Sequence, residues 1–216
     1  MNILKYISII FLLFFVNCKK EENSISPQTN EPVFAIPTSE DSYWIYEWYS
    51  VYDDSIEIKR NEVDTINIIG DTTIRGQVYT ILDFSYFGNT SIKYRRDSSG
   101  YLINQNGIVE FEYLLSDDTL NTGFEDFVGY WYTKMSADTS TIELTSGNYN
   151  CIELEKFFYD PSITPFTTCG QEYYKTSKFY CSGIGEVLEK TGYYYNLKNC
   201  ELNLERRLIE YNITEN

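Results

Sequence analysis

The sequence predicts an all-β protein, an antiparallel meander curled into a sandwich or an open-sided barrel. Three observations carry that prediction. From Ser42 onward, apolar and polar residues alternate with period two, turn signals recur about every 8–12 residues, and no apolar stripe has helical spacing.

The elements follow in order. Trp44, Tyr46 and Trp48 alternate with Tyr43, Ile45, Glu47 and Tyr49 in a first strand, and Ile56 and Ile58 mark a second. Thr65–Ile69, Thr72–Arg75 and Val78–Tyr86 are separated by Gly70-Asp71 and Gly76-Gln77. These dipeptides read as hairpin turns, because such turns need a positive φ that glycine adopts without steric cost. Ser91–Arg96, Tyr101–Asn104 and Ile108–Leu115 are divided by Asp97–Gly100 and by Gln105–Gly107 in the same way. Val109, Phe111 and Tyr113 are expected on one face of their strand, with Glu110 and Glu112 on the other. Ser116–Phe127 reads as a polar acidic loop. Tyr130–Met135, Thr141–Leu144, Tyr149–Phe158, Lys175–Cys181, Gly185–Lys190 and Cys200–Tyr211 complete the meander, with Glu205–Ile209 free to turn helical. Ten to thirteen short strands on about 175 residues would leave a large apolar face bare in one flat sheet, so the sheet must curl or split.

Composition excludes several functions. The chain holds 17 Lys+Arg against 32 Asp+Glu, a formal charge of −15, which repels nucleic acid and anionic headgroups. Aromatics make up 17% of the residues, with 21 tyrosines, far too many for a disordered chain. Histidine is absent, so His-based triads, His-ligated zinc and His general bases are ruled out. No catalytic residue, metal ligand or cofactor is assigned, and the chain is expected not to be an enzyme. Asp53-Asp54, Asp117-Asp118 and Glu125-Asp126 read as solvated turns rather than calcium ligands, and Glu110 and Glu112 as surface patterning rather than a glycosidase pair.

The N-terminus gives an address. Lys5 precedes an apolar run of eleven residues, Tyr6–Val16, the layout of a secretory signal and too short to span a membrane. Cys18 directly after it resembles the lipobox of bacterial lipoproteins, in which the thiol takes a diacylglycerol. That resemblance implies a signal peptide at 1–17, a lipidated Cys18 opening a flexible tether at 18–38, and one β-rich domain at 39–216. The tether is polar, charged and proline-containing, with Val33–Ile36 able to dock as an edge strand. Lys19-Lys20-Glu21-Glu22 resembles the charged signal that sends lipoproteins of Bacteroidetes to the cell surface. The expected location is therefore the outer membrane, on its surface first and facing the periplasm second.

Cys151, Cys169, Cys181 and Cys200 allow three pairings. In an exported chain two disulfides are expected, since no close CxxC spacing suggests zinc. If 149–158 and 175–182 are neighbouring antiparallel strands, Cys151 faces Cys181 and Cys169 is left for Cys200. Tyr193, Tyr194 and Tyr195, consecutive in a hairpin turn, cannot all be buried and are candidates for stacking on a sugar or anchoring a protein.

Three pieces occur in fixed order: Gly70-Asp71-Thr72-Thr73-Ile74-Arg75-Gly76 running to Tyr79, Tyr94-Arg95-Arg96-Asp97-Ser98-Ser99-Gly100, and Tyr180-Cys181-Ser182-Gly183-Ile184-Gly185-Glu186-Val187. Together they resemble a broad group of uncharacterised Bacteroidetes secreted proteins and surface lipoproteins. The resemblance implies an all-β extracytoplasmic domain and no shared activity. The expected role is a lipid-anchored, non-catalytic envelope protein that binds a glycan or a protein partner. A carrier holding an apolar ligand in a curved sheet is the alternative, and a His-free polysaccharide hydrolase a more distant one.

Overall fold

The structure is a computed structural model that describes residues 37–52, 56–113, 118–126, 129–162, 174–192 and 202–214. All lie in the compact unit Pro32–Asn216; the unit Met1–Glu31 is outside the described residues, as are Cys18 and Val33–Ile36.

Twelve strands form one sheet. They are β1 (Tyr43–Tyr52), β2 (Ile56–Ile74), β3 (Gln77–Tyr86), β4 (Asn89–Ser98), β5 (Tyr101–Asn104) and β6 (Val109–Glu112), then β7 (Thr119–Glu125), β8 (Gly129–Leu144), β9 (Gly147–Tyr159), β10 (Tyr174–Cys181), β11 (Gly185–Gly192) and β12 (Leu202–Asn212). Their order is β6-β5-β4-β3-β2-β1-β12-β11-β10-β9-β8-β7, so every neighbour is sequential except the β1–β12 pair. That pair joins the first and last strands antiparallel, Trp48 opposite Arg206, and turns a meander into a nearly closed barrel.

Closure is incomplete between β6 and β7. They share no ladder, and the Asn121 side-chain amide donates across the gap to the Val109 carbonyl at 2.6 Å. Contacts through the interior hold the two halves together. Trp44 Nε1 donates to the Ile184 carbonyl at 2.6 Å, Tyr46 OH to the Glu186 carbonyl at 2.8 Å, and Phe111 packs on Tyr180 with ring centroids 4.3 Å apart.

The expected alternation is clearest in β1, where Trp44, Tyr46 and Trp48 are buried between half-buried neighbours. Two apolar clusters line the interior. The larger contains Trp44, Tyr46, Ile66, Leu82, Phe84 and Leu208; the smaller contains Leu102, Phe111, Met135, Ile152, Leu154 and Tyr180. The tip of the β8–β9 hairpin folds back onto β12, where Ser146 Oγ donates to the Leu208 carbonyl at 2.6 Å.

Turn chemistry follows glycine. Arg75-Gly76, Phe87-Gly88 and Ser99-Gly100 each place two consecutive residues at positive φ, the requirement of a type I′ hairpin turn. Phe87 at φ 50° is costly for a bulky residue, and its ring stacks on Trp48 at 4.1 Å. Asn104 Oδ1 accepts from the Asn106 and Ile108 amides and fixes the next turn.

Four expectations need correction. Gly70-Asp71 is not a hairpin turn: β2 runs through it, and Gly70 sits at a register shift, where one extra residue bends the strand. Within the expected acidic loop Ser116–Phe127, Thr119–Glu125 is strand β7, paired along β8. Glu205–Ile209 does not turn helical; β12 stays extended because β1 and β11 pair with it on both sides. Glu112 is buried and Glu110 is drawn to the Arg95 guanidinium, so neither is simple surface patterning.

Candidate functional site

The barrel interior is charged as well as apolar. Arg206, fully buried on β12, pairs with Glu186, with Glu189 at 3.3 Å and with Asp64 at 3.9 Å. Its guanidinium also lies over the rings of Tyr46, Tyr86 and Phe84, at 4.6, 5.2 and 5.4 Å from their centroids. Lys178 reaches Glu186 at 3.1 Å and Glu189 at 3.4 Å. Burial pushes the Glu186 carboxyl up, but Arg206 and Lys178 more than offset it and hold the group well below the usual carboxylate range. Burial pushes Asp64 up, against the hydrogen bond it accepts from Trp48 Nε1 at 2.7 Å and the pull of Arg206. Three carboxylates thus converge on one point, but a cation already occupies it.

The cavity bounded by Trp44, Tyr46, Leu82, Arg95, Leu102 and Tyr180 has a volume of about 40 Å³, room for a few waters and no more.

The outer face differs at the β7–β9 edge. Phe124 on β7 stands opposite Tyr130 on β8, which stands opposite Tyr159 on β9. The three rings form a row across the strands, with centroid separations of 5.1 and 5.8 Å. One step along, Tyr132 and Phe157 form a second, parallel pair at 4.9 Å. Phe124 is 61% exposed, Tyr130 47% and Tyr159 39%, unusual for rings that already have partners. With Thr119 and Thr122 they line an open groove of about 680 Å³. Among the described residues, no charged side chain lines it. Charge begins a row further on, where Lys134 pairs with Glu155 at 3.6 Å and Lys175 with Glu153 at 3.0 Å.

Gly123 supports this edge from behind. A Cβ there would lie 2.5 Å from Trp131 Cζ2, so the indole occupies the space that any side chain would need. Lys156 Nζ lies 4.4 Å from the Trp131 ring centroid and pairs with Glu125 at 3.6 Å.

Of the residues expected from sequence, Cys151 and Cys181 are brought together as direct partners on β9 and β10, both as free thiols. Cys169, Cys200, Tyr193, Tyr194 and Tyr195 lie outside the described residues, as do Asp53-Asp54 and Asp117. Phe124, Tyr130, Tyr132 and Tyr159 were not anticipated as a site. A signal existed: Phe124 follows Gly123 in a Thr-rich stretch, and Tyr130-Trp131-Tyr132 puts aromatics on both faces of one strand.

Fold and site together define a class: an open twelve-stranded β-barrel with a side-chain-filled interior and an aromatic patch on its outer edge. No family model matches the chain, and no curated protein matches it. Among solved structures, one described as "a putative exported protein with YmcC-like fold" from Bacteroides fragilis is similar, with a TM-score of 0.48 and 14% identity over 83% of this chain and 99% of that one. A likeness of that size carries no argument about this chain.

Proposed function

We propose that the protein is a lipid-anchored, extracytoplasmic, non-catalytic binding protein, and that the β7–β9 edge takes a neutral glycan. The observation that carries this reading is the exposed row Phe124–Tyr130–Tyr159, in register across three strands. Flat aromatic faces flanked by hydroxyls suit sugar rings, which offer C–H faces to stack and hydroxyl groups to bond. The uncharged lining favours a neutral ligand, and the charge of −15 disfavours a polyanion. Export and anchoring rest on Lys5, the apolar run Tyr6–Val16 and Cys18.

The other readings are less well supported. An apolar carrier needs a cavity of roughly 300 Å³ or more, against about 40 Å³ in the cavity beside Trp44 and Tyr180. A hydrolase needs carboxylates facing substrate, whereas Asp64, Glu186 and Glu189 face Arg206.

The full-length protein in detergent should bind neutral oligosaccharides on a glycan array. Tyr130→Ala and Tyr159→Ala should each weaken that binding by about five- to 150-fold, at ~1–3 kcal/mol per stacked ring. A blank array, or binding that ignores both substitutions, would refute the site. Protease shaving of intact cells tests surface display: cleavage supports it, and protection places the domain on the periplasmic side.

A further inference from the structure

We propose that Cys151 and Cys181 are joined by a disulfide in the exported protein, with Cys181 meeting the oxidant first and Cys151 completing the bond. The inference rests on the extracytoplasmic reading above, since a reducing compartment would keep both thiols free. Cys181 is the last residue of β10 and stands directly opposite Cys151 on β9. Opposed residues of antiparallel strands have Cβ atoms about 4.5–5.5 Å apart, close to the separation a disulfide spans, so only a small adjustment is needed.

The two thiols are not equivalent. Cys151 is fully buried, while Cys181 is half-buried beside the Ser182–Ile184 turn. Burial pushes the Cys151 thiol up to about 12, and its contacts with Cys181 push the same way. Burial raises Cys181 too, but the hydrogen bond from Cys151 and the Asn150 backbone favour its thiolate. The thiolate is the nucleophile, and Cys181 is the one an outside molecule can reach.

The oxidant is a protein disulfide of the export pathway's thiol-oxidase class. The Cys181 thiolate attacks one sulfur of that disulfide, forming a mixed disulfide and releasing the other sulfur as a thiolate, which takes up a proton. Cys151 then loses its proton and attacks Cys181 Sγ, expelling the oxidase's remaining sulfur. Two thiols lose two electrons and two protons, and the oxidase disulfide becomes a dithiol. The product ties β9 to β10 where the β10–β11 pairing shifts register, between Phe179 and Tyr180.

The test is peptide mapping without reduction, on full-length protein extracted from exporting cells with thiols blocked by N-ethylmaleimide at lysis. A peptide linking Cys151 to Cys181 is expected, and its reduction should lower Tm by about 5–10 °C. A link from either residue to Cys169 or Cys200, or alkylation of both, overturns the pairing in cells. The reduced, purified protein treated with oxidised glutathione separates the two readings. Formation of the link there but not in cells supports the pair and overturns the extracytoplasmic reading; no link in either overturns the pair itself. For the order of attack, Cys151→Ser should form a glutathione mixed disulfide at Cys181 at least about tenfold faster than Cys181→Ser forms one at Cys151. Equal or reversed rates overturn the order, and the wild-type map decides the pairing whether or not either variant folds.

Discussion

Arg206→Met tests the barrel at its centre. The substitution keeps most of the side-chain volume and removes the charge. It leaves Glu186, Glu189 and Asp64 facing one another in a buried site, with Lys178 still paired to Glu186 and Glu189. Removing one partner of a buried ion pair costs about 3–5 kcal/mol, because an uncompensated charge stays in low dielectric. The rings of Tyr46, Phe84 and Tyr86 lose a cation as well, at ~0.5–2 kcal/mol. These losses overlap, so about 4 kcal/mol is the expected total. For a domain of this size that lowers Tm by about 8–16 °C.

Urea unfolding of Arg206→Met, Glu186→Gln and the double variant gives the measurement. The double variant should lose less than the sum of the singles by at least ~1 kcal/mol, since removing both charges leaves neither stranded. Acid provides a second readout with a definite sign. Glu186 is held below its unfolded value near 4.3, so its stabilisation is complete above that pH and is lost as pH falls toward the folded value. Wild type should therefore weaken steadily below about pH 4, and Arg206→Met should weaken less steeply. A variant within ~1 kcal/mol of wild type, with an unchanged acid slope, would refute the reasoning: the guanidinium would then be packing rather than neutralising.

Other positions give sharper local tests. Gly123→Ala puts a methyl 2.5 Å from the Trp131 ring and should cost about 1–3 kcal/mol in urea, so an unchanged midpoint would mean the indole swings freely. Lys93 lies on the Phe84 ring at 3.5 Å, and burial, with Arg95 and Lys178 adding to it, lowers its amine to about 8. A base lowered on folding weakens the fold while protonated, and stability returns as pH rises through the folded value. Lys93→Met should thus stabilise the protein at pH 7, by up to ~1 kcal/mol once solvent screening is discounted, with the gain shrinking toward pH 10. Destabilisation at pH 7 would show that the cation on Phe84 is favourable.

Local features were legible in the sequence, and distant ones were not. Strand β1 could be read because Trp44, Tyr46 and Trp48 share one face, and its alternation needs no partner to be recognised. The turn within Asp97–Gly100 was legible because type I′ geometry demands a positive φ, whereas the turn expected at Gly76-Gln77 falls one residue earlier, at Arg75-Gly76, with Gln77 already in β3. The same cue misled at Gly70, since a bulge asks for that same backbone freedom. The opposition of Cys151 and Cys181 follows once 149–158 and 175–182 are neighbouring antiparallel strands, as β9 and β10 are. Pairing of β1 with β12, and so Trp48 opposite Arg206, could not be read, because register between chain ends is written in no local pattern. Arg206 itself sits in Glu205-Arg206-Arg207, which reads as surface until Asp64 arrives from β2 and Glu186 and Glu189 from β11. The aromatic edge stayed hidden because Thr119–Glu125 lacks the strong alternation that identifies a strand.

The charged interior also bears on where recognition can happen. Arg206, Lys178, Glu186 and Glu189 are held in ion pairs with one another, and a ligand entering among them would have to replace each lost contact with one as good. An aromatic patch has no such obligation. Phe124, Tyr130 and Tyr159 satisfy one another in a row and still expose their outward surfaces, so a ring stacked there displaces only water. Trp131 braces that patch. Its indole fills the space behind Gly123 and holds the Lys156 cation, so the strand that presents Tyr130 and Tyr132 outward is braced from within. Rigid placement of that kind would lower the entropy lost if the proposed glycan binds in so shallow and open a groove.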